Sequence, residues 1–204
     1  MAEDDHGHEA VYDASALAWN AERQGKFPEQ FLIERLVAGL ARDAAVLDLG
    51  CGSGQPIAAF LADQGLSVTG VDFSAQMLAL ASARLPEVRL VRQDMRFLSL
   101  GQRFQAIVAW DSFFHLTANE QSALIPKVAD HLCAGGLFLF TCGPDAGEAW
   151  GKVAGGPVFH ASLSRQGYAN CLAQSGLKMV DFVAEDARVW GRSWCLAQSG
   201  GTRN

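Results

Sequence analysis

Three glycines at alternate positions, Gly50, Gly52 and Gly54, interrupt the run AAVLDLGCGSGQPIAAFL over residues 44–61. That spacing suits a tight turn bringing backbone N–H groups up to a ligand at the start of a helix. Phosphates are common ligands of such turns. Yet Asp48 stands two residues before the first glycine, and a carboxylate repels a pyrophosphate across a short, poorly screened distance. The dinucleotide fingerprint also asks for a third glycine where Gln55 stands. Asp72, 22 residues after Gly50, closes a second apolar run, where a carboxylate can accept hydrogen bonds from ribose hydroxyls. A ligand with a ribose, a cationic amine and no phosphate removes the conflict.

Groups able to accept a proton lie further along. His115, in WDSFFHLT, is the first candidate general base; the alternative is a residue that settles the turn by bonding backbone. His160, in VFHASL, is the second candidate, with packing as its alternative. Phe113 and Phe114 either line an apolar pocket or belong to the core. The stretch GPDAGEAWGKVAGGP (143–157) has no clear period and reads either as a lid, with Trp150 closing over a substrate, or as disorder. His6 and His8 read as part of a mobile acidic tail rather than a metal site, and no metal centre is expected.

The elements that must position these residues alternate. Strands are expected at 45–49, 66–72, 88–94, 104–110 and 135–143, and helices after the glycine loop, after Ser74 as N-cap, over 118–132 and over 164–176 with Gly176 as C-cap. Two late strands, LKMVDFVAED and ARVWGRSWCLAQ, pair at one edge. Residues 11–40 form one or two helices, with Pro28 near a helix start. Apolar strands alternating with helices predict an α/β fold whose parallel sheet is covered on both faces, with ligands beyond the carboxyl ends of the strands.

Composition narrows the function classes. The 204-residue chain is half hydrophobic with a net charge of −6, which suits one globular domain and argues against a nucleic-acid surface. Five scattered cysteines without a CxxC pair fit buried thiols in a reducing compartment, not a zinc site or disulfide framework. No apolar stretch approaches a membrane span and no signal peptide opens the chain. A soluble cytoplasmic protein is expected, a monomer or homodimer, without nucleic-acid or membrane partners.

S-adenosylmethionine has a ribose, a sulfonium and a zwitterionic methionine end, so charge logic favours it over a nicotinamide dinucleotide. The motifs VLDLGCGSGQP, VTGVDFSAQML, VRQDM and FQAIVAWDSFFHLT, in this order and spacing, resemble those of class I S-adenosylmethionine-dependent methyltransferases of the small-molecule type. The resemblance implies a single Rossmann-like domain: a mostly parallel seven-stranded sheet with an antiparallel edge strand, residues 1–43 forming a helical cap and 44–204 the cofactor-binding unit. By that resemblance Gly50, Cys51, Gly52 and Gly54 approach the methionine part and Asp48 orders its amino group. Asp72 holds the ribose, Phe73 lies beside the adenine, and Asp94 and Met95 meet its amino group and ring face. Trp110 and Asp111 end the fourth strand beside the methionine moiety. On the leading helix Tyr12 and Trp19 pack on the cofactor and Arg23 pairs with its carboxylate; alternatively Trp19 only docks the helix and Arg23 is solvated. The implied reaction is methyl transfer to an unidentified small molecule, releasing S-adenosylhomocysteine. The alternatives are a nicotinamide-dependent oxidoreductase and a non-catalytic cofactor-binding regulator. A DNA amino-methyltransferase is disfavoured, because Asp111-Ser112-Phe113-Phe114 lacks the prolines of that class.

Overall fold

A computed structural model describes residues 7–23, 25–153 and 155–200. The first and second strands, β1 (Ala45–Leu49) and β2 (Ser67–Asp72), pair in parallel, with Asp48 beside Gly70 and Leu49 beside Val71. With β3 (Arg89–Arg92), β4 (Phe104–Ala109), β5 (Leu132–Cys142), β8 (Leu177–Asp186) and β9 (Arg192–Ser199) they form one seven-stranded sheet, ordered β3-β2-β1-β4-β5-β9-β8. β9 is antiparallel to both β5 and β8. The antiparallel strand therefore sits one place in from the edge, and the edge strand β8 runs with the others.

Helices cover both faces because the central strands are apolar on both. One face buries Leu47, Leu49, Ile107, Phe138 and Phe140 with α5 (Ala118–Asp130) and α6 (Arg165–Gln174). The other buries Val46, Val68, Ala106 and Val108 with α2 (Gln30–Val37) and α3 (Ile57–Asp63). Helix α4 (Ala75–Arg84) starts as the sequence predicts, the Ser74 hydroxyl accepting from the Met77 N–H. Gly176 follows α6 at φ +74°, the left-handed geometry of a C-cap.

Three expectations need correction. Residues 147–153 and 156–157 are neither disordered nor an irregular loop: β6 (Gly147–Val153) and β7 (Gly156–Ser162) pair antiparallel as a hairpin. Trp150 is 62% exposed on it and packs against Phe159. His8 is not in a mobile tail but begins α1 (His8–Arg23), buried with its Nε2 against the Phe159 backbone; His6 lies outside the described residues. The last strand starts later than expected, after a 3-10 turn at Ala187–Val189 and a left-handed Trp190.

Helix α1 lies over α4 and the hairpin, where Tyr12, Ala16, Met77, Val153 and Val158 share a third apolar cluster. Among the described residues, no helix is long and apolar enough to cross a membrane.

One buried side chain ties the hairpin to the loop after β4. Gln121 of α5 donates from Nε2 to the carbonyls of Leu116 and Ala161, while its Oε1 accepts from the Tyr168 hydroxyl at 2.6 Å. Gln121→Leu removes the donor to the Leu116 and Ala161 carbonyls, each a penalty of about 1–3 kcal/mol, while the Tyr168 hydroxyl keeps Ser162 Oγ as a partner. Chemical denaturation is expected to show a loss of about 2 kcal/mol or more, and a loss below about 1 kcal/mol would remove this tie from the account.

Candidate functional site

The glycine loop is closed by the strand beside it. The Val71 carbonyl accepts from both Gly50 and Cys51 N–H, at 2.7 and 3.0 Å. Gly50 sits at φ +82°, and a Cβ there would lie 2.3 Å from Cβ of Ser112. Only glycine meets both conditions. Asp72 completes the loop, its two carboxylate oxygens accepting from the Gly52 and Ser74 N–H groups at 2.8 and 2.9 Å.

A cavity opens beyond the ends of β1, β2 and β4, under α1. Most of the residues expected from the sequence line it: Tyr12, Trp19, Arg23, Asp48, Gly50, Cys51, Gly52, Asp72, Phe73, Asp94, Met95, Trp110, Asp111 and His115. Two do not. Gly54 faces α4, where a Cβ would meet Leu85 at 2.7 Å. His160 stands behind the wall, packed on Phe114 and His115 at ring separations of 4.7 and 5.0 Å. Phe113 belongs to the core.

The cavity floor is anionic. Burial, reinforced by the Asp72 charge, pushes the Asp48 carboxyl up to about 7. Burial raises Asp72 to about 6 against the pull of its backbone hydrogen bonds. Nearby, Arg23 and Glu29 form a buried ion pair, so Arg23 is not a solvated residue. Arg23 Nη1, Glu29 Oε2 and the Trp110 indole N–H are buried without a hydrogen-bond partner. Carboxylates beside unpaired N–H donors suit a ligand carrying both an ammonium and a carboxylate, with Asp72 free to accept from hydroxyls. The donor set therefore fits a zwitterionic nucleoside cofactor.

Another part of the lining is a neutral polar pair, His115 and Tyr12. His115 Nδ1 lies 3.0 Å from the Phe159 carbonyl and Nε2 lies 2.7 Å from the Tyr12 hydroxyl. Burial holds the imidazole down to about 3, and burial likewise pushes the Tyr12 phenol far up. With both ring nitrogens engaged and the ring held neutral, His115 is no free general base; the backbone-bonding alternative describes it better. Asp94 accepts from the Arg96 N–H and guanidinium, which also reaches Glu120. Asp111, at φ +51°, accepts two hydrogen bonds from Arg192, from Nε at 2.6 Å and Nη2 at 2.8 Å. Neither Glu29 nor Arg192 was marked by any local pattern, since each acts through a partner elsewhere in the chain. The described residues contain no cluster of His, Cys, Asp and Glu arranged for a metal ion.

Comparison with known proteins agrees with this arrangement. Residues 46–136 match the methyltransferase domain family. The chain is 38% identical over 98 residues, 47% of its length, to a dTDP-3-amino-3,6-dideoxy-alpha-D-glucopyranose N,N-dimethyltransferase of Streptomyces fradiae, covering 38% of that protein. It is 35% identical over 135 residues, 65% of its length, to a dTDP-3-amino-3,4,6-trideoxy-alpha-D-glucopyranose N,N-dimethyltransferase of Streptomyces venezuelae, covering 55% of it. The chain thus spans about half the length of these curated relatives. In fold it is similar to CalS10, an amino pentose methyltransferase from Micromonospora echinaspora solved with S-adenosylmethionine bound, with a TM-score of 0.70, 23% identity and coverage of 92% and 96% of the two chains. Over residues 46–136 the chain is thus similar to methyltransferase domains, and its fold is that of a solved S-adenosylmethionine-binding methyltransferase.

Gly50→Ala combines a left-handed backbone with a clash against Ser112, and is expected to cost about 2–4 kcal/mol. Thermal melts check this, and a melting temperature equal to the wild type's would contradict the loop geometry described.

Proposed function

We propose that this protein transfers a methyl group from S-adenosylmethionine to a small molecule. The observation carrying the proposal is the convergence, in one cavity, of two buried carboxylates with the unpaired N–H groups of Arg23 and Trp110. When bound, the cofactor supplies a methyl carbon already activated by the adjoining sulfonium for in-line displacement. Asp48 receives the ammonium of the methionine end; Arg23 Nη1 and the Trp110 indole N–H receive its carboxylate. Asp72 accepts from the ribose hydroxyls while keeping the glycine loop closed. Phe73 and Met95 flank the adenine, with Asp94 at its amino group. Tyr12 and Trp19 close the cavity from above and exclude water, which serves a reaction that depends mainly on alignment.

Five free cysteines and an acidic chain suit a protein of the cytoplasm acting on metabolites rather than nucleic acid, as a monomer or homodimer. Residues 1–43 serve as the helical cap and 44–204 as the cofactor-binding unit. Incubation with methyl-labelled cofactor and metabolite pools tests the activity. A labelled small molecule is the expected product; cofactor binding without any labelled product would favour the non-catalytic alternative.

The raised carboxyls give binding a pH dependence. Below about pH 7 Asp48 is protonated in the free protein, and the incoming ammonium favours its ionised form, so binding must expel a proton. S-adenosylmethionine affinity is expected to rise more than tenfold from about pH 5 to pH 8 and then level off. Asp72→Ala is expected to weaken binding by about 3 kcal/mol through lost charge-assisted hydrogen bonds. Calorimetry reads both, and a flat pH profile or unchanged affinity would overturn the assignments of Asp48 and Asp72 respectively.

A further inference from the structure

Two residues other than glycine that contact Arg192 have a left-handed backbone, Asp111 at φ +51° on the cavity wall and Trp190 at φ +60°. Such conformations cost energy and persist where surrounding contacts over-determine them. Here the contacts are explicit: the Asp111 N–H donates to Thr141 Oγ1 at 2.8 Å, its carboxylate takes both Arg192 bonds, and Arg192 lies over the Trp190 ring. The arrangement holds a carboxylate against the cavity wall beside Trp110 and Ser112.

Across the same cavity, the Tyr12 hydroxyl has a fixed polarity. The Phe159 carbonyl is only an acceptor, so His115 Nδ1 carries the proton and Nε2 is bare. Tyr12 must then donate to Nε2, leaving its oxygen nothing but lone pairs for a ligand. Asp111 is likewise an acceptor, with lone pairs left over after Arg192 has taken one on each oxygen. A neutral primary amine satisfies two acceptors with its two N–H groups and keeps a lone pair for attack. An alcohol brings one hydrogen and a carboxylate none.

An isolated carboxylate would defeat that chemistry by holding the amine as a non-nucleophilic ammonium. The other groups near Asp111, Arg192 and Tyr12 are Glu22 of α1, Glu29 with its partner Arg23, His160 of β7, which burial keeps neutral, and Asp72 of β2, whose carboxylate is held by the Gly52 and Ser74 N–H groups. The cation that cancels the Asp111 charge is therefore Arg192. We propose that Arg192 is a positioning residue that neutralises Asp111 while leaving its lone pairs free, so that the site takes an amine acceptor and holds it uncharged. The inference rests on the methyltransferase reading above, with the amine nitrogen attacking the methyl carbon, the C–S electron pair returning to sulfur, and the product ammonium losing its proton to water.

The test uses the full chain saturated with S-adenosylhomocysteine and cyclohexylamine as probe, by calorimetry at pH 7.5 in buffers of different ionisation enthalpy. Wild-type protein is expected to release about one proton per amine bound, and to bind cyclohexanol and cyclohexanecarboxylate at least about tenfold more weakly. Arg192→Gln should bind the amine with no proton release. Arg192→Lys, which keeps the charge but not the fork, should retain most of the release, and Asp111→Asn combined with Arg192→Gln should restore it. Wild-type binding without proton release, an alcohol bound as well as the amine, no amine binding at tens of millimolar, or release unchanged in Arg192→Gln would each overturn the proposal. Failure of S-adenosylhomocysteine itself to bind would instead strike the cofactor reading, and this inference with it.

Discussion

Two carboxylates buried in one cavity are the constraint around which this molecule is arranged. Asp48 and Asp72 end adjacent parallel strands, so the sheet itself fixes their positions. Burying a carboxylate without a full complement of partners is unfavourable, and the response is visible in their raised protonation equilibria. Backbone N–H groups from the glycine loop and from the start of α4 satisfy Asp72 in part. The rest is left to a cationic ligand. A phosphate would add to the conflict; an ammonium ends it.

The same constraint explains the leading helix. Arg23, a cationic donor that lines the cavity, comes from α1, which packs Tyr12 and Ala16 into the third apolar cluster. Polar clasps add to that hold. Asp13 accepts from the Ser74 hydroxyl and the Gln76 N–H, Asn20 accepts from Ser53 and Arg84, and Glu9 pairs with Arg92. His8 adds its bond to the hairpin at Phe159, the residue whose carbonyl also fixes the His115 tautomer. One helix thus brings both a guanidinium and a phenol to the cavity.

Much of this was legible in the sequence because the central strands and helices follow their periods closely, and because the glycine loop, Asp48 and Asp72 lie within one β-α-β unit. What was not legible has a physical reason in each case. The hairpin hid because β6 is glycine-containing and almost wholly exposed, so it shows no alternation; only β7 buries Val158, Phe159 and Ala161. His8 read as part of a charged tail, since nothing local announces that its ring is sandwiched between His115 and the backbone of a strand 151 residues away. His115 carried the right residue type for a base at the right strand end, but its partners are set by tertiary contacts. Arg192 is joined to Asp111 across 81 residues, a separation no motif spans.

The claim on which the rest depends is the identity of the ligand that these carboxylates await. Calorimetric titration of the protein with S-adenosylmethionine and, separately, with NAD and NADP addresses it directly. The account predicts saturable binding of S-adenosylmethionine and none of either dinucleotide. Tight dinucleotide binding with no response to S-adenosylmethionine would contradict it.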